Sequence, residues 1–317
     1  MAPIAVQKVD ISQTHSQPPQ NQESGSGSAG SVPSAQDRAP LGVNYYLTEG
    51  LEGIEVQRYC GTQSFMTAIE FQADQLHSGN GGQYAVFSHV TQDDFANIDR
   101  FRDTHCKLLC FLYYEKEETL IVKIMPGLAH EVTRGQFDTI LAIKLAAMGL
   151  DKELGYMGSI TYQGMCSRKE ANSTFRPLLP RPYVTDWPTL VIEFGVPDSL
   201  KNLRRDSNWW FANSAAQVKT VLLFSVSEKE RKINIEQWEM HTEAKCIGTI
   251  DIFETDAAGA SLRLSFENLF LRKPRKGEMD IVFSTQDLEG LAAHVWRCTI
   301  SRPPGGASSP PGGVSCP

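Results

Sequence analysis

Apolar segments separated by polar turns divide the middle of the chain into strands and helices. The segments 106–114 and 119–125 are apolar and flank Glu115-Lys-Glu-Glu118, which predicts a β-hairpin. From His130 to Met148 apolar residues recur at helical spacing, and Gly149 follows directly. This pattern predicts one long helix with a glycine at its end.

The pattern after this helix predicts a mixed α/β domain. Strands are expected at 156–162 and 173–178 and around Leu190–Phe194, followed by a helix over 199–210 and a strand over 218–226. The order is therefore helix, three strands, helix, strand. Two extra C-terminal strands, 232–238 and 261–271, and a closing helix over 286–296 complete the prediction, and the mixed order favours an α/β architecture.

The two ends of the chain differ in composition from its middle. Residues 1–40 are rich in Gln, Ser, Gly and Pro, and 302–317 in Pro, Gly and Ser, so both are expected to be disordered. The single α/β domain is expected over 41–301, with its core at about 105–226 and a C-terminal extension over 227–301. The glycine pattern at 25–30 has no strand before it and no helix after it, so no cofactor-binding loop is predicted.

Composition limits the classes of function. The net charge of −7 argues against a protein that coats nucleic acid, although it allows a local basic groove. No apolar run approaches the ~20 residues that span a bilayer, so no membrane contact is expected. The seven cysteines are scattered and odd in number, which favours reduced thiols and an intracellular protein, cytoplasmic or nuclear.

Glu193 is a lone carboxylate inside the apolar strand around Leu190–Phe194. Burying a carboxylate is costly unless a cation compensates it. A buried Arg or Lys could do so, and so could a metal ion. The following segment 199–210 is basic, and from 168 to 205 seven basic residues stand against four acidic ones, 7 − 4 = +3. A groove that contacts a nucleic-acid backbone could form there.

At this point the chain resembles the PD-(D/E)XK restriction-endonuclease-like superfamily. The resemblance rests on the order of elements and on three segments, Trp187-Pro-Thr-Leu-Val-Ile-Glu-Phe-Gly195, Leu203-Arg-Arg-Asp-Ser-Asn-Trp-Trp210 and Val218-Lys-Thr-Val-Leu-Leu-Phe224. It is similar to Uma-type proteins grouped with endonucleases and to uncharacterised fungal proteins. The resemblance covers residues 105–300 approximately and implies an αβββαβ core whose mixed sheet is flanked by helices.

The resemblance implies Mg²⁺-dependent phosphodiester hydrolysis of nucleic acid. Glu193 would be the main metal ligand, because Mg²⁺ prefers carboxylate oxygens. Asn172 stands where the family has its metal aspartate, and its neutral carbonyl oxygen should weaken metal binding. Glu170 and Glu131 are the candidate replacement ligands, and the pattern includes His130-Glu131 and Lys169-Glu170.

The family's lysine two residues after the strand glutamate is also missing, because Gly195 stands there. Some relatives place the cation on the next helix, where Lys201, Arg204 and Arg205 would act as the phosphate clamp of a catalytic site. Arginine binds phosphate well but does not release a proton near neutral pH.

Two other interpretations stay open. The protein could be a catalytically inactive nuclease-fold module that binds nucleic acid or a protein partner, or it could be purely structural. An approach of Glu170 or Glu131 to within about 5 Å of Glu193 would favour a metal site. A salt bridge from Glu193 to Arg204 or Arg205 would favour an inert core.

Overall fold

Helices lie on both sides of, and between, two sheets in the computed structural model, which describes residues 42–105, 109–125, 127–254 and 261–300. Over these residues the α-helices are α1 (Val43–Glu49), α2 (Thr62–His77), α3 (Gln92–His105), α4 (Leu128–Ala147), α5 (Leu200–Asn213), α6 (Phe266–Phe270) and α7 (Thr285–Cys298). A short 3-10 turn at Pro197–Ser199 leads into α5. None of the described helices combines the length and the apolar character needed to cross a bilayer.

The first sheet has the order β1-β2-β4-β3-β7-β6. Its strands are β1 (Val56–Arg58), β2 (Tyr84–Ser88), β3 (Leu109–Tyr114), β4 (Thr119–Ile124), β6 (Thr161–Gln163) and β7 (Ser167–Glu170). The hairpin of β3 and β4 pairs Leu112 with Ile121, and β3 pairs Leu112 with Lys169 of β7. Paired residues point to the same face, so these three side chains lie together.

The second sheet has the order β12-β11-β10-β9-β8-β5. Its strands are β5 (Leu154–Tyr156), β8 (Ser173–Pro177), β9 (Leu190–Gly195), β10 (Thr220–Ser227), β11 (Lys232–Met240) and β12 (Ala244–Phe253). Strand β9 runs antiparallel to β8 and parallel to β10, with α5 as the crossover between the parallel pair. A separate small ladder joins β13 (Leu262–Leu264) to β14 (Ile281–Phe283).

The molecule is layered around these two sheets. Helices α2 and α3 cover one face of the first sheet, where the Phe65 and Phe87 rings lie 4.8 Å apart. Helix α5 lies between the two sheets, and its residues Leu203, Trp209 and Trp210 join a core with both. Helices α4 and α7 cover the far face of the second sheet.

The α/β fold class is confirmed, and the expected order of helix, three strands, helix and strand is found in α4, β5, β8, β9, α5 and β10. Two further strands, β6 and β7, lie between β5 and β8 in the chain and belong to the first sheet. The expected hairpin is found as β3 and β4, the long helix as α4 and the closing helix as α7. Strand β9 carries Glu193 as expected.

Two strand predictions are wrong. The segment 156–162 is the end of β5 and the start of β6, which belong to different sheets. Gly158, with φ of +64°, breaks the strand between them. The segment 261–271 is a short strand followed by α6, because the Ser265 side chain accepts a hydrogen bond from the Asn268 amide and caps the helix.

Candidate functional site

Glu193 points from the second sheet toward α5. Successive residues of a strand face opposite sides, so Glu193 shares its side with Val191, while Ile192 and Phe194 face α4. The Glu193 side chain is 0% exposed. A carboxylate this deeply buried requires partners within the protein.

Three groups surround the Glu193 carboxylate. The Lys123 ammonium, from β4 of the first sheet, donates to Oε2. The Trp210 indole, from α5, donates to Oε1 at 2.8 Å. The Lys169 ammonium, from β7, lies 3.9 Å from the same oxygen. The compensating cations are therefore lysines of the first sheet.

Asn172 shares the Lys123 ammonium with Glu193. Its Oδ1 accepts from Lys123 Nζ at 2.9 Å and from the Phe194 amide at 2.8 Å. Its Nδ2 donates to Cys110 Sγ at 3.1 Å and to Met125 Sδ at 3.0 Å. The backbone donor at Phe194 requires an oxygen on that side, so the carbonyl of Asn172 faces Lys123. The structure thus brings Asn172 and Glu193 together around an ammonium group.

Lys169 extends the network to helix α5. Its Nζ lies 2.7 Å from Asp206 Oδ1, which also accepts from the Tyr46 hydroxyl at 3.2 Å. Two lysines therefore face two carboxylates. Their formal charges cancel, which is the condition under which charges can stay inside a protein.

The network keeps Lys123 ionised. Burial acts to lower the pKa of Lys123, but the attraction of Glu193, with a smaller contribution from Asp206, raises it above its usual range. Burial raises the pKa of Cys110 to about 12, so this thiol stays protonated. Burial, and then Asp206, raise the pKa of the neighbouring phenol Tyr46. The group is a set of internal ion pairs among neutral neighbours.

The network has little space beside it. The adjoining cavity has a volume of about 10 Å³ and is bordered by Tyr46, Tyr84, Lys123, Lys169 and Asp206. That space suits about one water molecule and no nucleotide. A Cβ at Gly195 would lie 2.7 Å from Gln83 Oε1 and 3.1 Å from Leu203 Cδ1. A lysine at position 195 would therefore require its neighbours to move.

The structure places the two replacement ligands elsewhere. Glu170 lies on the opposite face of β7 from Lys169, where it contacts Arg102 and accepts from the Phe111 amide at 3.2 Å. Burial raises its pKa, and Arg102 acts in the other direction. Glu131 pairs with Arg134 of the same helix at 2.6 Å. Neither carboxylate is among the partners of Glu193.

The basic side chains of α5 also bind carboxylates other than Glu193. Arg204 forms two hydrogen bonds to Glu236, at 3.0 and 2.5 Å. Arg205 lies 3.1 Å from Glu49, and Lys201 lies 2.9 Å from Glu52. The expected alternative, a bridge from Glu193 to Arg204 or Arg205, is replaced by the bridge to Lys123. All three cations of the expected clamp have partners within the chain.

The sequence analysis missed the roles of Lys123, Asp206 and Trp210, and it named Lys169 only as part of the pattern Lys169-Glu170. Lys123 carried the same signal as Glu193, since it is the charged residue in Thr119-Leu-Ile-Val-Lys-Ile124. A lone cation and a lone anion in two apolar strands are natural partners. Asp206 carried a weaker signal, because a helix that looks amphipathic exposes most of its charges.

The donor set does not fit a magnesium site. Across the described segments, 42–105, 109–125, 127–254 and 261–300, no three His, Cys, Asp or Glu side chains converge. Mg²⁺ needs oxygens free to bind it. Here the Lys123 ammonium already binds both Glu193 and Asn172, and the Lys169 ammonium lies close by.

The chain is similar to a solved structure, but only distantly. No family model and no curated protein match the chain. A solved structure, a "putative nuclease belonging to DUF820" from Anabaena variabilis, aligns with a TM-score of 0.37 and 13% identity, over 57% of this chain and 90% of that chain. The fold assignment rests on the strand order of this molecule, not on a similarity of that size.

Proposed function

We propose that this chain is a catalytically inactive nuclease-fold module in which internal ion pairs replace a metal centre. The observation that carries the proposal is the Lys123 ammonium, bound to Glu193 and, at 2.9 Å, to Asn172 Oδ1. An ammonium in this place neutralises Glu193 as a metal would, but it neither activates water nor polarises a phosphate as a metal ion does.

Burial supports the same proposal. Phosphodiester cleavage requires substrate oxygens to reach the metal and its ligands. Glu193, Asn172 and Lys123 are all buried, and the cavity beside the network holds about one water. A substrate could reach this centre only after the first sheet and α5 had separated.

The partner that we propose is a protein rather than a nucleic acid. Nucleic-acid backbones bind through lysine and arginine side chains that are free to contact phosphates. On α5 these cations are paired with Glu49, Glu52 and Glu236, and the chain as a whole carries a charge of −7. These pairs oppose binding to a polyanion.

A second candidate is the Mg²⁺-dependent phosphodiesterase implied by the family resemblance. The observation in its favour is that Asn172, directly before β8, and Glu193, on the neighbouring strand β9, share one cation as metal ligands of that family would. This candidate requires Lys123 to leave the site when metal and substrate bind.

The test compares the native chain with Glu193→Gln, Asn172→Asp and the double variant Lys123→Ala/Asn172→Asp. Each is titrated with Mg²⁺ and Mn²⁺ by calorimetry and incubated with single- and double-stranded DNA and RNA. We expect no metal binding and no cleavage by the native chain, and metal-dependent thermal stabilisation of the double variant. Cleavage by the native chain that is lost in Glu193→Gln would overturn the proposal.

Binding of nucleic acid is measured separately with fluorescently labelled oligonucleotides. For the native chain we expect no rise in anisotropy at physiological salt. Affinity that falls steeply with added salt and drops in Lys201→Ala would contradict the choice of a protein partner, since such salt dependence reflects displaced counterions.

A further inference from the structure

A groove opens between helix α4 and β5, which is the edge strand of the second sheet. Its volume is about 440 Å³, within the usual range for sites that bind small molecules. Its walls are mainly apolar, formed by Ala142, Leu145, Leu154, Phe175 and Leu178. A groove of this size and polarity suits the apolar body of an organic ligand.

The charged side chains that line the groove are negative, and one cation, Arg134, lies at its border, where its Nη1 donates to the Tyr156 hydroxyl at 2.8 Å. Asp138 and Asp151 are its charged lining residues, and no Lys, Arg or His lies among the lining residues that the structure describes. Asp138 Oδ2 accepts from Ser173 Oγ at 3.2 Å and lies 3.8 Å from Arg134 Nη1. Within the described chain, its buried Oδ1 accepts no hydrogen bond.

The carboxyl of Asp138 is only partly compensated by its surroundings. Burial raises its pKa to about 6, although Arg134, Ser173 and Tyr156 all act to lower it. A cation placed in the groove would add the missing compensation, because an opposite charge nearby favours the ionised carboxylate.

Two aromatic rings form the wall on the strand side. The centroids of Tyr156 and Phe175 lie 5.3 Å apart, with the ring planes tilted by 48°. Tyr156 is about half exposed, at 49%. Aromatic faces attract organic cations, and aromatic rings are a common means of binding quaternary ammonium ligands.

We propose that this groove binds an organic ammonium ion with an apolar body. The apolar walls take the body, Asp138 takes the charge, and the Tyr156 and Phe175 rings flank it. Asp138 and Asp151 outnumber the one cation at the border, Arg134, and the choice of a cation rests on this excess of negative charge. The proposal does not depend on the buried network or on the function proposed for it.

The test uses three probes of one size and different charge: phenethylammonium, 2-phenylethanol and 3-phenylpropanoate. Each is titrated into the full chain at pH 7.5 and followed by ligand-observed NMR. We expect the ammonium to bind roughly tenfold more tightly than the alcohol, which is about 1.4 kcal/mol, and the anion to bind most weakly. Equal affinities, an anion that binds best, or no binding of the ammonium would overturn the proposal.

Two variants locate the site. Asp138→Asn keeps an acceptor for Ser173 and should remove the preference for the cation, whereas Asp93→Asn on α3 is the matched control and should keep it. Ala142→Leu fills the groove from an exposed position of α4 and should weaken all three probes. A cation preference that survives both Asp138→Asn and Ala142→Leu would place the binding elsewhere and contradict the proposal.

Discussion

The two faces of the second sheet differ in how they accommodate ionisable side chains. On the α4 side, Leu190, Ile192 and Phe194 form part of an apolar core, and His130 is a buried titratable group beside it. On the α5 side, the same strand β9 presents Glu193 to Lys123. One strand therefore serves an apolar core and a set of ion pairs through alternate residues.

The comparison shows two ways in which a protein interior tolerates an ionisable group. Burial lowers the pKa of His130 to about 4, so this imidazole is neutral at pH 7. On the other face the charges remain and cancel in pairs. Pairing makes the groups interdependent, because removal of one partner leaves the other buried and uncompensated.

The largest effect is expected from Lys123→Met. This change leaves Glu193 without its closest cation and Asn172 Oδ1 without one of its two donors, so it should lower the free energy of unfolding by about 3–5 kcal/mol. Urea denaturation at pH 7 measures the loss. A loss of stability below about 1 kcal/mol would contradict the inference that the buried charges on the α5 side depend on one another.

The matched control is the double variant Lys123→Met/Glu193→Gln. It removes the unpaired charge while keeping an acceptor for the Trp210 indole. We expect it to regain about 2 kcal/mol of the loss, since a neutral amide is less costly to bury than a carboxylate. A double variant as unstable as Lys123→Met would show that the cost comes from packing rather than from charge.

The second largest effect is expected on the pH dependence of stability, and it comes from His130 on the α4 side. Unfolded His130 takes up a proton near pH 6.5, whereas folded His130 does so only near pH 4. Between these values the unfolded chain binds more protons, so this residue makes stability fall as the pH is lowered. By pH 4 the loss should approach about 3 kcal/mol.

His130→Leu should remove this contribution. The free energy of unfolding of the native chain, minus that of His130→Leu, is measured at pH 7 and at pH 4.5 by urea denaturation. Asp138 titrates in the same range but is present in both proteins, so it cancels in the difference. A difference that does not change with pH would mean that His130 has the same pKa in the folded and the unfolded chain, and would contradict the prediction.

The regular part of the fold was predictable because its signals are local. The apolar run around Leu190–Phe194, the helical spacing in α4 and the hairpin turn at Glu115-Lys-Glu-Glu118 each lie within one short window. The division of residues 156–162 between two sheets was not predictable in this way. Which sheet a short strand joins depends on pairing with distant strands.

The site was predictable only in part, for the same reason. The carboxylate was found from its apolar surroundings, but its cation Lys123 stands 70 residues earlier, on a different sheet. Periodicity carries no information about a contact across that distance. The basic residues of α5 were expected as partners of Glu193 because they are near it in sequence. A charge that is near in sequence need not lie near in space.

The smallest expected effect is the difference in stability between two hydrogen bonds donated by α5, one to a charged acceptor and one to a neutral acceptor. Trp210 Nε1 donates to the Glu193 carboxylate at 2.8 Å, whereas Trp209 Nε1 donates to the Ser167 hydroxyl at 2.9 Å. Both indoles are buried, with ring centroids 5.0 Å apart. They form a matched pair that differs mainly in the acceptor.

Trp210→Phe and Trp209→Phe remove the same indole atoms from the core. Hydrogen bonds to charged groups contribute about 1.5–3 kcal/mol and those to neutral groups about 0.5–1.5 kcal/mol. Trp210→Phe should therefore cost about 1 kcal/mol more than Trp209→Phe in urea denaturation at pH 7. In a Glu193→Gln background this excess should shrink, because both indoles then donate to neutral acceptors. If the excess cost of Trp210→Phe persists in that background, the difference comes from packing. The charge of Glu193 would then add nothing to the stability that the Trp210 hydrogen bond provides.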